Sequence, residues 1–370
     1  MLYLISLLSF LLPTQLGLHF NNFDSTVYGF RIDYLIPTLY LTDIVALLII
    51  ILGLRNIIFS STFNFTKKHY LLIAAYFGFA ILNISNSLLI IPALYKWLKV
   101  TEMILLGVVI NKTKTFDVFK NFIRPLSYSV FIICLLGIAQ FINNESIGGL
   151  FYLLGERTFM FNDPNIAPYP YSTFSHPNSF AGFLLVFSIF LLEYRKKFVT
   201  KHFWTLLILV GINLVLTNSL NVYIATTLIL LMKYINIKTF APLVFVDLSA
   251  RYITHRIELI KSALTIIKEN FWFGVGFNNF VPNLVKVSNT FVNAWELQPV
   301  HNIFLLIFSE TGIIGFIVFM FLIFSSISLS NYPLIAVVLT GLNDHYWITL
   351  QQNILLLVFV LALSKRLQKY

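Results

Sequence analysis

The chain reads as an all-α, polytopic integral membrane protein with about twelve transmembrane helices. Composition is the first reason. Of 370 residues 58% are hydrophobic and 11% charged, and the mean hydropathy is +0.84. A soluble domain runs out of interior before it can hide so much apolar surface. The second reason is that apolar runs of near-span length recur from one end to the other. The third is that basic residues cluster in alternate connections between those runs, as orientation in a bilayer requires.

The runs lie near 2–20, 36–54, 70–88, 92–110, 122–142, 178–193, 203–218, 221–236, 302–328, 332–343 and 350–364. Residues 1–12 lack a basic leader and a small-residue cleavage site, so they read as a retained first span. The stretch 239–248 is short and contains Pro242. It has to cross, or dip, as the ninth span if the basic C-terminus is to end inside. The whole of 1–370 is one polytopic membrane domain, with external loops at 143–177 and 249–300.

With the N-terminus cytoplasmic, most of the 25 basic residues fall inside. They are Arg55, Lys67 and Lys68; Lys112, Lys114, Lys120 and Arg124; Arg195, Lys196, Lys197 and Lys201; Lys233 and Lys238; Lys365, Arg366 and Lys369. Outside, the connections 21–35 and 143–177 hold only Arg31 and Arg157. Lys96 and Lys99, near the outer end of the fourth run, count mildly against the rule. The net charge of +10 thus sorts by membrane side and implies no nucleic-acid partner. Cys134 is the only cysteine, which excludes an intrachain disulfide, and no His, Cys or Asp cluster has metal-ligand spacing. No metal and no cofactor is expected.

Loop 143–177 carries Arg157 and ends in Thr173-Phe174-Ser175-His176-Pro177-Asn178. Asn178 reads as the N-cap of the following helix, its positive dipole end facing out. His176 reads as helix-start punctuation beside it. For Arg157 an interfacial snorkelling role and a binding role weigh equally. In loop 249–300, Ile253, Ile257, Ile260, Leu264 and Ile267 repeat as one stripe of an amphipathic helix over 253–267. Arg251, His255, Glu258, Ser262 and Thr265 form its polar face. Arg256 breaks this pattern and points toward membrane or protein. Its planar fork suits a phosphate, the alternative being a carboxylate such as Glu310 or Asp344. Lys261 follows on the same helix. The Gly274-Val275-Gly276 turn is a weak phosphate signal and reads first as a helix end. His301 and Asn302 open the next span at its outer end.

Three stretches together resemble the O-antigen ligase and polymerase family of bacterial envelope glycosyltransferases. They are residues 256–280 (RIELIKSALTIIKENFWFGVGFNNF), 301–315 (HNIFLLIFSETGIIG) and 173–184 (TFSHPNSFAGFL). The resemblance implies metal-independent transfer of a glycan from a polyprenyl (undecaprenyl) pyrophosphate carrier. The acceptor would be a glycolipid, a glycan or a protein, at the outer face of the bacterial cytoplasmic (inner) membrane. It implies Arg256 and His301 as catalytic residues, with Arg157, Lys261, His176, Asn178 and Asn302 binding substrate. Lipopolysaccharide assembly by a ligase and chain growth by a polymerase are both within the family.

This chain departs from the family pattern in three places. Tyr169, Pro170 and Tyr171 stand where an arginine is common, Ser172 stands where glycine is usual, and Ser219-Leu220 replaces a Ser-Arg pair. Arg157 and Lys261 are the cations available to substitute. A flippase or transporter, the rival class, would have to use the span carboxylates Asp43 and Glu102.

Overall fold

The structure is a computed structural model that describes residues 1–21, 25–27, 29–58, 66–159, 169–234, 250–288, 296–328 and 330–367. The doubtful ninth span, 239–248, lies outside the described residues. In order, the chain forms α1 (Leu2–Leu11), β1 (Gly17–His19), β2 (Thr26–Val27), β3 (Phe30–Arg31), β4 (Thr38–Tyr40), α2 (Leu41–Ile58), α3 (Lys67–Ser85) and α4 (Ile90–Lys112). A π-turn, Phe119–Ile123, leads into α5 (Arg124–Asn143), followed by α6 (Pro177–Glu193), α7 (Thr200–Leu216), α8 (Leu220–Tyr234) and α9 (Ala250–Glu269). Then come α10 (Phe280–Val287), α11 (Ile303–Ser326), α12 (Tyr332–Gly341), α13 (Tyr346–Thr349) and α14 (Gln351–Leu367).

Helices occupy most of the apolar runs that the sequence marks, and the chain is a helical membrane protein. The run 2–20 is the exception: only Leu2–Leu11 is helical and Gly17–His19 is a strand, so the expected first span is a helix of 10 residues. Among the described residues, Leu41–Ile58, Phe119–Asn143 and Ile303–Ser326 are long and apolar enough to cross a bilayer by themselves. The other apolar helices are shorter, and the 23-residue α4 carries Lys96, Lys99 and Glu102. A bilayer tolerates such groups only when they turn inward and find partners. Here Lys99 bridges Asp43 and, at 3.4 Å, Glu102. The connection between α1 and α2 is more ordered than its composition suggests: β1 pairs antiparallel with β4, and β2 with β3.

Helix α6 is the centre of the bundle. Phe180, Phe183, Phe187 and Phe190 are all fully buried, and Gly182 lets Tyr346 pack against its backbone. One end of the bundle collects the β1–β4 ribbon, connection 144–157, connection 342–350 and the starts of α2, α4, α6, α11 and α14. Bonds from Thr173 Oγ1 to Pro13 O (2.6 Å), Lys96 Nζ to Ile348 O (2.5 Å) and Gln351 Nε2 to Asp43 Oδ1 (2.6 Å) tie it together. Helices α2, α4, α6 and α14 run away from this end, and Arg55, Lys112, Arg195 and Lys365 lie at or near their far ends. At that far end Arg366 donates to the carbonyls of Phe116, Asn111 and Thr113.

Inside α11 the backbone breaks at Gly312 (φ 64°, ψ −171°). The Gly274–Gly276 turn is built against that break. Val275 N donates to Ser309 O at 3.0 Å, Gly276 N to Glu310 O at 3.0 Å, and Ile313 N to Phe271 O at 2.8 Å. The turn therefore pairs with an interrupted helix and does not cradle a phosphate. Asn83 of α3 completes the junction. Its Nδ2 donates to Phe273 O (2.7 Å) and Glu310 O (2.8 Å), while its Oδ1 accepts from Trp97 Nε1 (2.8 Å) and Phe277 N (3.1 Å).

Helix α9 packs on α11 through Leu259, Ser262, Ala263, Ile266 and Ile267, while Ile257, Ile260 and Leu264 are exposed. Most of the apolar stripe therefore faces outward, while Ser262, expected on the polar face, is buried. Beside a bilayer, outward is the apolar side, and the small Ser262 and Ala263 allow close helix contact.

Two substitutions test this junction by thermal unfolding in detergent. Asn83→Leu strips four bonds from a buried site and should cost roughly 2 kcal/mol or more. Gly274→Ala places a Cβ 2.4 Å from the Glu310 backbone at φ +68° and should cost roughly 1–3 kcal/mol.

Candidate functional site

Residues far apart in the chain converge at the ribbon end of the bundle. Helix α9 delivers Arg256, half-buried, with Nη1 3.5 Å from Asn343 O. Among the described residues no carboxylate lies within 4.0 Å of its guanidinium, so neither Glu310 nor Asp344 closes on it as a contact pair. Its positive field still reaches His176, His301, Asp344 and His345. A guanidinium held near a carboxylate but left open is able to take an incoming anion.

His301 sits just before the N-cap of α11. Asn302 is that cap: its Oδ1 accepts from Phe304 N (2.9 Å) and Leu305 N (3.0 Å), and its Nδ2 donates to Leu342 O (2.9 Å). Both ends of the Asn302 amide are therefore engaged with protein. By contrast, His301 Nδ1 is buried and has no hydrogen-bond partner among the described residues.

Two residues that the sequence reading missed as a site complete the group. Connection 342–350 brings Asp344 and His345 beside His301, with ligand-capable atoms of all three within 4.8 Å of one another. The His301 and His345 ring centroids are 5.1 Å apart, and Tyr34 meets His345 edge-on at 5.4 Å. A cation could bridge such a trio, a possibility invisible in linear spacing. The surroundings favour proton handling instead, because Arg256 adds a fixed positive charge and His345 Nδ1 already bonds Thr349 Oγ1 at 2.8 Å. Asp344 was named only as a possible ion-pair partner of Arg256. It stands in a polar break between two apolar runs, and that break was the available signal.

The helix carrying the Pro-Asn motif begins one residue earlier than expected. His176 is the N-cap of α6, its Nδ1 accepting from Asn178 N at 3.1 Å, and Pro177 is the first helical residue. Proline's fixed φ suits that first position, leaving the cap to the residue before it. Asn178 turns inward instead, Nδ2 to Asp344 Oδ2 at 3.4 Å.

Arg157 reaches the same region. Its backbone N donates to Ser172 O at 3.1 Å, its Nε is buried without a partner, and its charge is felt at His176 and Tyr34. Ser172, standing where glycine is usual, does adopt φ +53°, and its Oγ bond to Ile133 O (2.8 Å) helps hold it there. Lys261 is not brought to the group. It pairs with Glu258 at 2.8 Å on the exposed side of α9, with 65% of its side chain accessible.

The electrostatics follow from burial against one carboxylate. Burial pushes His301 well below the usual histidine range, and Asp344 opposes this only in part. Burial likewise takes His345 down to about 4 and lowers His176. Asp344 is pushed up by burial, yet the neighbouring His301, His345, His176 and Arg256 hold it below the ordinary carboxylate range. At neutral pH the site thus contains one anion, the guanidinium cations of Arg256 and Arg157, and neutral imidazoles. Such an imidazole can accept a proton, and the adjacent carboxylate then stabilises the imidazolium.

Next to this group opens a cavity of about 500 Å³ whose lining includes Tyr34, Arg157 and His176. Residues 174–320 match the family model described as Wzy_C: O-Antigen ligase. The match takes in α6, Arg256 and His301. No curated protein matches the chain.

Titration of the ring followed by NMR should keep His301 neutral to well below pH 6.5. Asp344→Asn should move the midpoint lower still, because the carboxylate is the group that raises it. An unchanged or higher midpoint in that variant would contradict the pairing.

Proposed function

We propose, on the premise that the chain belongs to the O-antigen ligase family, that it transfers a glycan from a polyprenyl pyrophosphate carrier to an acceptor hydroxyl. The transfer takes place at the outer face of the cytoplasmic membrane. The observation that carries this reading is the meeting of Arg256, His301 and Asp344 beside one polar cavity. The basic helix ends at the opposite pole of the bundle support an outward-facing site, since such residues are retained inside.

In the proposed step the neutral His301 imidazole takes the proton of the acceptor hydroxyl. The oxygen forms a bond to the anomeric carbon as the bond from that carbon to the carrier's phosphate oxygen breaks. The electron pair leaves with the diphosphate. Arg256, with Arg157 as second cation, offsets the charge that builds on this leaving group. Asp344 orients His301 and steadies the imidazolium until its proton is released to water. Arg157 thereby fills the place of the arginine missing near Tyr169–Tyr171. Lys261, paired with Glu258 and exposed, is left out of the reaction.

A ligase and a polymerase share all of this chemistry and differ only in the acceptor. A transporter is less well supported, because Asp43 and Glu102, the carboxylates it would use, are both bridged by Lys99.

Arg256→Ala and His301→Ala should each make lipid-linked glycan accumulate in cells. In purified enzyme His301→Ala should lower kcat by roughly 10²–10⁴-fold with donor binding largely kept. Full activity in both variants would end the assignment. Chelation with EDTA should leave the rate unchanged, whereas loss that added metal restores would make the His301–Asp344–His345 trio a metal site.

A further inference from the structure

The cavity beside the catalytic group extends to a second cation that the proposed reaction does not use. Lys96 lies on α4 one turn before Lys99, and the two differ in how their charge is met. Lys99 is bridged to Asp43 and Glu102. Lys96 is only 9% exposed, and its one recorded bond runs from Nζ to the carbonyl of Ile348 at 2.5 Å. Among the described residues no carboxylate lies within 4.0 Å of it. Glu310 also lines the cavity and attracts Lys96 from farther away. Its Oε1, however, accepts from Phe280 N at 3.3 Å, which commits it to the start of α10. A buried ammonium without a contact counter-ion is costly unless something anionic arrives.

The space around Lys96 suits a sugar. The cavity volume of about 500 Å³ falls within the ~300–1,000 Å³ of typical ligand sites. Tyr34, Tyr40, Tyr95 and Gln351 share its wall with Lys96, giving ring faces and amide or hydroxyl groups together, as a glycan's mixed surface requires. Arg157, with its partnerless Nε, stands in the same wall. Lys96 is also near enough to His345 for its charge to be felt there, so an anion on Lys96 would sit close to the reacting centre.

We propose that this cavity is a glycan subsite in which Lys96 reads an anionic substituent, a carboxylate or a phosphate, on a sugar of the transferred chain or its acceptor. The identity of the ligand as a glycan rests on the transferase reading above; the charge selectivity does not. It assigns the enzyme an acidic polysaccharide as substrate.

The test is ligand-observed NMR on the full chain in nanodiscs, with methyl β-glucuronide, glucose 6-phosphate, methyl β-glucoside and inorganic pyrophosphate as probes. At least one anionic sugar should bind about tenfold or more tightly than the neutral glucoside, and the tighter of the two identifies the substituent. Lys96→Met should abolish that preference while keeping glucoside binding, and Lys96→Arg should retain it. Lys96→Gln serves as the neutral variant if the methionine form melts early. Equal binding of the three sugars to the wild type would overturn the proposal. So would loss of pyrophosphate binding in Lys96→Met, which would assign Lys96 to the donor diphosphate. Arg256→Ala should keep the anionic preference, so a failure of the transfer mechanism and a failure of this subsite are told apart.

Discussion

A broken helix inside a bilayer protein has to find partners for the backbone groups it frees, and the part of this molecule around α9 and α11 is arranged around that requirement. The break at Gly312 in α11 is met by the 271–277 segment, and Asn83 fills the remaining positions with all of its amide capacity. Left unmatched, each of those carbonyls and N–H groups would carry the cost of a buried polar group in an apolar medium. Matching them docks the end of α9 against α11 at a set depth. The start of α9 then lies beside the start of α11, and Arg256 comes within reach of His301. A structural need of the backbone thus positions two side chains that are 45 residues apart in the numbering of the chain.

The chemistry of the site depends on the same exclusion of water. Two imidazoles, His301 and His345, kept neutral by burial, flank a single carboxylate, with His176 at the mouth and one guanidinium standing by without closing on it. In such surroundings a charge that appears during reaction is felt strongly by fixed groups already in place. A proton placed on His301 would meet Asp344, and an anion entering beside Arg256 would meet its guanidinium. At rest Arg256 donates to the carbonyl of Asn343.

The helices were legible because hydropathy alone marks them, and α9 because its periodicity is strong. Its facing was not legible, since the same stripe can turn to protein or to lipid and periodicity does not say which. The ribbon of β1–β4 escaped notice because its strands are only two or three residues long, too short for an alternating pattern. Asp344 and His345 were hidden in a connection between two apolar runs, where no spacing rule links them to His301. Lys96 did leave a trace, as an outer basic residue against the charge rule. The reason is now physical: it turns inward into a cavity and does not report on the membrane side. Arg256 and His301 were read through family resemblance, and burial and geometry add the Asp344 partner that makes their pairing chemically specific.

One buried atom has a practical meaning. The Cys134 sulfur is fully enclosed in the bundle core, where neither oxidants nor alkylating reagents gain ready access. The native chain is therefore already a silent background for thiol chemistry. A single engineered cysteine on the ribbon, on the outer face of α9 or in connection 144–157 can carry a spectroscopic label or a photo-crosslinker without first removing anything. With a pair of such cysteines, distances across the cavity become measurable in an otherwise unaltered protein.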